Sequence, residues 1–183
     1  MTSEREAELQ AARLQKLQVH GRPIELVDYD PAWPELFERE AEKIRAALGE
    51  RAVGLEHAGS TSVPGLAAKP IIDIVLAVAD SADEGSYVPP LEAAGYELTI
   101  REPDWHEHRV LKGTDPQVNL HVFSGGCPEI DRMTAFRDRL RTTPGDRDLY
   151  ERTKRELAQR TWKYTQDYAD AKSKVVEEIL TRA

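Results

Sequence analysis

The chain has few of the features that mark secreted or membrane proteins. Its 183 residues include one cysteine, Cys127, so no internal disulfide can form, which agrees with a reducing compartment. No apolar run reaches the roughly 18 residues that a membrane-spanning helix needs, and the first residues are too polar for a secretory signal. The sequence therefore predicts a cytoplasmic protein with no membrane partner.

Positive charge is also scarce. Aspartate and glutamate number 33 against 25 lysines and arginines, and the net charge at pH 7 is −8. Proteins that bind nucleic acid generally carry a basic surface that displaces counterions. The composition therefore predicts no nucleic-acid partner, while a hydrophobic content of 40% is enough for a globular core.

The length and the apolar pattern predict one domain with an N-terminal extension. We expect residues 1–22 to form a peripheral helix or a partly disordered extension, since their leucines are only loosely spaced for a helical stripe. Residues 23–183 are expected to form the single domain.

Strand-like and helical patterns alternate within this domain. Helices are predicted at 31–48, 86–95, 131–142, 146–160 and 162–181, a turn or short helix at 63–67, and strands at 24–30, 52–57, 70–78, 96–100, 108–112 and 118–123. Some strands are joined through helices and others through short turns. This order predicts an α/β (α+β) fold with a mixed sheet.

The most informative stretch is residues 57–78. A loop of small and hydroxyl residues between Gly59 and Gly65 leads to Lys69 and then to an apolar strand that contains one carboxylate, Asp73. An ionised carboxylate is costly to bury unless a cation compensates it. The pattern therefore predicts a metal ion or a basic side chain beside Asp73.

The loop itself has the composition of a phosphate-binding turn. Backbone N–H groups and hydroxyls in such a turn can bind anions, which makes Gly59, Ser60, Thr61 and Ser62 candidates for contacts to phosphate. The loop is not a P-loop, because its lysine precedes a strand and not a helix.

Several motifs, in this order, resemble the GrpB-like family. They are residues 57–73, residues 119–123 (Asn-Leu-His-Val-Phe), residues 136–140 (Phe-Arg-Asp-Arg-Leu), the pair Tyr150 and Lys154, and residues 168–173 (Tyr-Ala-Asp-Ala-Lys-Ser). The family's fold belongs to the nucleotidyltransferase superfamily, and its members also resemble a domain fused to dephospho-CoA kinase in some bacteria. The resemblance implies a nucleotidyltransferase-like mixed β-sheet flanked by helices, with a C-terminal helical segment.

The superfamily resemblance also implies a mechanism in which two carboxylates on one strand bind Mg²⁺ or Mn²⁺. Asp73 occupies the first position, but Val75 stands at the second and has no lone pair. His121, on a later strand, is the candidate that fills the gap, so we assign Asp73 and His121 to catalysis and metal binding. The alternative for His121 is a core histidine bonded to the backbone.

The remaining candidates are basic or imidazole side chains. Phosphate contacts are expected from Lys69, Arg109, Arg137, Lys154 and Lys172. An ion pair between Asp138 and a neighbouring arginine is equally consistent with the pattern. His57 is expected to brace the loop, and His106 and His108 are expected to be exposed strand residues.

Two functions follow from these residues and the resemblance, and the alternative to both is a protein–protein scaffold. The first is metal-dependent transfer of a nucleotidyl group from a nucleoside triphosphate to an acceptor. The alternative is a catalytically degenerate module that binds a nucleotide or CoA and assists or regulates a partner enzyme. In both cases the ligand is a nucleotide or another phosphorylated small molecule.

Overall fold

Proline marks the start of several helices. The computed structural model describes residues 2–182, and Pro34, Pro128 and Pro144 each lie in the first turn of a helix, where the missing N–H has no partner to lose. The helices are α1 (Thr2–Ala11), α2 (Trp33–Leu48), α3 (Val88–Ala93), α4 (Pro128–Thr142), α5 (Pro144–Ala158), α6 (Thr165–Ala171) and α7 (Ser173–Leu180).

The strands form one mixed sheet. They are β1 (Gly54–Ala58), β2 (Ile72–Val78), β3 (Glu97–Glu102), β4 (His108–Thr114) and β5 (Gln117–Ser124), in the order β1-β2-β5-β4-β3. The central pair β2 and β5 is parallel and the other pairs are antiparallel. The predicted fold class, a mixed sheet flanked by helices and followed by a helical C-terminal segment, is confirmed.

The register of β2 and β5 separates a core face from a functional face. Asp73 pairs with Asn119 and Val75 pairs with His121, so these four side chains lie on one face. The alternate residues of both strands are buried on the other face beneath α2 and α3. They are Ile72, Ile74, Leu76, Val78, Val118, Leu120 and Val122.

The C-terminal helices hold the loop after β1 from the functional side. Val63 and Leu66 of this loop pack with Leu140, Tyr150 and Ile179, which come from α4, α5 and α7. The apolar part of α4 also covers the β1 end of the functional face. The loop is therefore fixed between the sheet and the C-terminal helices.

Some predicted elements were wrong. Residues 24–30 form no strand and make only the bridge between Val27 and Ala68, because Ile24 instead packs against the C-terminal helices. The helical turn expected at 63–67 lies earlier, at Ser60–Ser62. The single helix expected at 162–181 is two helices, α6 and α7.

No helix within residues 2–182 has both the length and the apolar character needed to cross a membrane. The domain bounds and the cytoplasmic location stay predictions.

Candidate functional site

Gly59 and Asp73 are in direct contact where β1 ends and β2 begins. Gly59 has φ +67° and ψ −175°, a conformation that is essentially restricted to glycine. A Cβ atom at Gly59 would lie 2.3 Å from Oδ2 of Asp73. Glycine is therefore needed both for the backbone conformation and for the approach of the carboxylate.

Two hydroxyls of the loop stabilise the loop itself. Thr61 Oγ1 donates to the carbonyl of Ile71 at 3.2 Å and lies 3.0 Å from His57 Nε2, and Ser62 Oγ donates to the carbonyl of Gly59 at 2.5 Å. Both side chains are buried. Thr61 and Ser62 are thus positioned by the loop and turned away from the functional face, and His57 contacts the loop as expected.

Burial keeps His57 uncharged. Its ring stacks on Phe37, with ring centroids 4.8 Å apart, and burial lowers the pKa of His57 to about 4. Because Thr61 donates its hydroxyl proton to Ile71, the neutral imidazole donates from Nε2–H to the Thr61 oxygen without introducing a charge.

Ser60 is the loop hydroxyl that contacts a basic side chain. Lys154 Nζ of α5 donates to Ser60 Oγ at 3.0 Å and also to the carbonyl of Ala67. The ammonium lies 4.9 Å from the ring centroid of Tyr150. Lys154 is only 2% exposed, and burial lowers its pKa to about 7.

Two further lysines lie close to one aromatic ring. The Nζ atoms of Lys69 and Lys172 are 5.6 and 4.7 Å from the ring centroid of Tyr168, which is within cation–π distance. Burial lowers the pKa of both lysines, to about 8 for Lys69. The charge of Lys172 lowers the pKa of Lys69 and of Lys154 further.

We refer to Lys69, Lys154 and Lys172 as the lysine cluster. Its members come from the segment before β2, from α5 and from the junction of α6 with α7. The three ammonium groups repel one another, so an anion bound among them would be stabilised by their charge and by the Ser60 hydroxyl.

Asp73 is partly buried and has the cationic and polar partners that a buried carboxylate needs. Asn119 Nδ2 donates to Asp73 Oδ1 at 3.0 Å, and His121 Nε2 lies 3.6 Å from the same oxygen. Burial acts to raise the pKa of Asp73, but the imidazole of His121 when it is protonated, the hydrogen bond from Asn119 and the charge of Lys69 act to lower it below the usual range. Asp73 is therefore an ionised carboxylate at neutral pH.

His121 also contacts a second histidine. His121 Nδ1 lies 3.1 Å from His108 Nε2, and His108 Nδ1 lies 2.6 Å from Glu102 Oε2. The prediction that His108 is exposed was wrong, because β4 begins there and places its ring on the functional face beside Phe123. His106 was also assigned wrongly to a strand, since it lies in the turn before β4 with φ +55°.

Two predicted phosphate contacts lie elsewhere. Arg109 is on the opposite face of β4 from His108 and donates to Glu84 at 2.5 Å. Arg137 of α4 donates to Glu56 at 2.6 Å and to Asp138 at 2.8 Å. The structure thus pairs Asp138 with an arginine and brings neither Arg109 nor Arg137 to the lysine cluster.

The predicted residues that do come together line one continuous region. They are Gly59, Ser60, Lys69, Asp73, His121, Lys154 and Lys172. Sequence reasoning did not select Asn119, His108 and Glu102. Asn119 could have been identified because it alternates with His121 along β5. His108 and Glu102 come near His121 only through the pairing of β3, β4 and β5.

The donor set does not fit a centre with two metal ions. Val75 lies beside Asp73 on the functional face and is buried and apolar. Among the described residues, no group of three or more histidine, cysteine or acidic side chains is arranged to hold a metal.

One ion is compatible with the same residues. Two ligands about 2.1 Å from a tetrahedral ion are about 3.4 Å apart, close to the 3.6 Å between Asp73 Oδ1 and His121 Nε2. The remaining positions would be filled by ligand oxygens or water. Asp73 and His121 therefore remain the candidate metal ligands, for one ion.

Comparison with known proteins places the same residues in a shared segment. The family model described as "GrpB protein" matches residues 23–182. A UPF0157 protein of Halalkalibacterium halodurans is 59% identical over 182 residues, which cover 100% of this chain and 93% of that protein. The matched segments contain the loop, Asp73 and the whole lysine cluster.

Two further similarities connect the chain to a solved structure and to a larger protein. The crystal structure of conserved protein GrpB from Enterococcus faecalis matches with a TM-score of 0.69 and 33% identity, over 84% of this chain and 98% of that chain. A dephospho-CoA kinase of Mycolicibacterium paratuberculosis is 32% identical over 177 residues, which cover 82% of this chain and 43% of the kinase.

Proposed function

The chain belongs to the GrpB family, and we propose that it binds the phosphate groups of a nucleotide or a related phosphorylated small molecule between its sheet and its C-terminal helices. The observation that carries the proposal is the lysine cluster. Three ammonium groups and the Ser60 hydroxyl lie near one another, and Lys154 is almost completely buried.

The charges of the cluster are not neutralised by direct ion pairs. Within residues 2–182, the lysines that form ion pairs are Lys43 and Lys163, and both lie outside the cluster. Lys154 donates only to a hydroxyl and a carbonyl. Because buried unpaired charge is costly, an anionic ligand would supply the compensation that the protein does not.

The spread of the cluster favours a ligand with more than one phosphate group. Its lysines come from three separate elements, and each can approach a different phosphate oxygen. The similar segment in a protein named dephospho-CoA kinase supports a nucleotide or CoA-like ligand and a role beside a partner enzyme. ATP, CTP and CoA are therefore the first ligands to test.

Calorimetry with this panel tests the proposal, with adenosine as a control that lacks phosphate. Lys172→Met should weaken ATP binding about 10-fold or more, since a hydrogen bond to a charged group contributes about 1.5–3 kcal/mol. The matched control is Lys174→Met, because Lys174 lies two residues away, at the start of α7, and is exposed. Binding of adenosine as tight as ATP, or equal losses in both variants, would contradict the proposal.

A second candidate function is transfer of the nucleotidyl group of the bound nucleotide to an acceptor, with release of pyrophosphate. It is favoured by the position of Asp73 and His121 on the same face as the cluster. Lys69, Lys154 and Lys172 would orient the phosphates, while Asp73 and His121 would hold one divalent ion. Such an ion, Mg²⁺ or Mn²⁺, would neutralise charge on the reacting phosphate.

Nucleoside triphosphates labelled at the α-phosphate distinguish the two functions. Incorporation of label into an acceptor in the presence of Mg²⁺ or Mn²⁺, and its loss in Asp73→Asn, would support transfer. Binding of ATP without incorporation for any nucleotide, acceptor or metal would leave the binding function alone.

A further inference from the structure

Four side chains form a continuous array across the sheet. Glu102 of β3 contacts His108 of β4 at 2.6 Å, His108 contacts His121 of β5 at 3.1 Å, and His121 lies 3.6 Å from Asp73 of β2. We call these residues the carboxylate–histidine array. It extends from the edge of the sheet to the proposed ligand site.

The number of protons in the array is limited. When both imidazoles are neutral they carry one N–H each, and ionised carboxylates carry none. Two N–H groups therefore serve three contacts, so one contact joins two acceptors.

The distances indicate which contact lacks the proton. The separation of 2.6 Å between His108 and Glu102 is that of a strong charge-assisted hydrogen bond and excludes two facing lone pairs. His108 therefore donates from Nδ1, and its Nε2 accepts from Nδ1–H of His121 at 3.1 Å. The bare Nε2 of His121 then faces the Asp73 carboxylate across the longest gap, 3.6 Å.

We propose that Glu102 and His108 are positioning residues that fix the tautomer of His121, so that His121 Nε2 and Asp73 together bind one divalent transition-metal ion. This inference rests on the proposed site and specifies its metal. An imidazole ligand and a ligand separation close to the tetrahedral value favour Zn²⁺ or Co²⁺ over Mg²⁺, which prefers oxygen ligands in octahedral geometry.

The surroundings of the pair are those of oriented metal ligands. Ligating histidines usually donate their second N–H to a neighbouring acceptor, and ligating carboxylates are themselves hydrogen-bonded. His108 provides the acceptor for His121, and Asn119 donates to Asp73. The ring of His108 is fixed in turn by stacking on Phe123, with centroids 4.6 Å apart.

Titration with Co²⁺ alone, followed by visible absorption and calorimetry, tests the inference without a nucleotide. His108→Phe keeps an aromatic ring on Phe123 but removes the acceptor for His121. It should weaken Co²⁺ binding about 10–100-fold, the usual effect of removing such a partner. His106→Asn is the control, because it changes a neighbouring histidine outside the array and asparagine tolerates its positive φ.

Glu102→Gln provides a second variant in case His108→Phe does not fold. It should weaken Co²⁺ binding about 10-fold, at the lower end of the same range. The wild-type protein should also bind Zn²⁺ and Co²⁺ more tightly than Mg²⁺. Undiminished Co²⁺ affinity in the folded array variants, or preference for Mg²⁺, would overturn the inference.

Nitrogen-15 NMR of the imidazoles reports the tautomer directly. In the metal-free wild-type protein, His121 should carry its proton on Nδ1, and His108→Phe should shift the population toward the Nε2–H form. A wild-type His121 protonated on Nε2 would overturn the inference. Because neither measurement uses a nucleotide, metal-free ATP binding would still stand if the array failed these tests.

Discussion

The Cα atom of Gly59 packs against the side chain of Asp73, so closely that any Cβ would overlap the carboxylate. This contact joins the loop that carries Ser60 to the strand that carries the acid. Loop conformation and carboxylate position are therefore coupled, and a change at one should be detected at the other.

Gly59→Ala should lower the free energy of unfolding by more than Gly65→Ala. Both glycines have positive φ, but the space around Gly65 is open within 4 Å, whereas the new Cβ at Gly59 would lie 2.3 Å from Asp73 Oδ2. We expect a loss of about 1 kcal/mol at Gly65 and about 2–4 kcal/mol at Gly59. Urea unfolding measures both, and equal losses would contradict the contact.

Ser60→Ala should weaken ATP binding, whereas Ser62→Ala should lower the free energy of unfolding and leave ATP binding unchanged. Ser60 Oγ accepts from Lys154, so its loss should weaken ATP binding about 3–10-fold, because the ammonium then lacks one of its two acceptors. Ser62 Oγ instead donates to the Gly59 carbonyl and is buried, so its loss should cost about 1 kcal/mol of stability. Calorimetry and urea unfolding of both variants check this division, and a reversed pattern would contradict it.

The buried ammonium of Lys154 should make stability depend on pH. Its pKa is about 7 in the folded protein and about 10.4 in an unfolded chain. The unfolded state therefore binds more protons between these values, and this lysine destabilises the fold fully below pH 7 and progressively less as pH rises toward 10.

Relative to Lys154→Met, the wild-type protein should therefore gain stability between about pH 7 and about pH 9.5. The measurement is urea unfolding of both proteins at the two pH values. Lys174→Met should follow the wild-type profile, because that lysine is exposed. A wild-type protein that loses stability relative to Lys154→Met as pH rises would contradict the burial of a charged lysine.

Asp73→Asn should separate phosphate binding from metal binding. In EDTA the variant should bind ATP at least as tightly as the wild-type protein, because a negative charge beside the lysine cluster has been removed. In Mn²⁺ it should lack any affinity that the metal adds to the wild-type protein. Calorimetry under both conditions decides, and weaker binding in EDTA would show that Asp73 contacts the nucleotide in another way.

Local patterns were sufficient to predict the loop, the strand acid and the type of sheet. Asp73 stands within an apolar strand, and its need for polar partners can be inferred without knowing the fold. Lys154 and Lys172 are distant in sequence from the loop, and they were selected because the motifs around them resemble a family.

The errors among the candidate site residues came from the directions in which their side chains point. Arg109 and His108 are adjacent, and the strand places them on opposite faces. A prediction that selects Arg109 therefore selects a buried ion pair with Glu84 and misses His108 of the array. Thr61 and Ser62 follow Ser60 directly, yet the turn directs their hydroxyls inward. Such orientations depend on pairing and packing that a single sequence does not specify.

The central claim is that the lysine cluster holds a phosphorylated ligand, and proton uptake on ATP binding tests it most directly. Calorimetry at about pH 8.5 in two buffers of different ionisation enthalpy measures this uptake, since phosphate esters, with a second pKa of about 6, are already ionised there. Lys154, with a pKa of about 7, is then mostly neutral in the free protein. Lys69, with a pKa of about 8, is also more than half neutral at this pH. We predict uptake of about one to two protons per ATP in the wild-type protein and about one fewer in Lys154→Met; ATP binding without proton uptake, or no ATP binding, would contradict the claim.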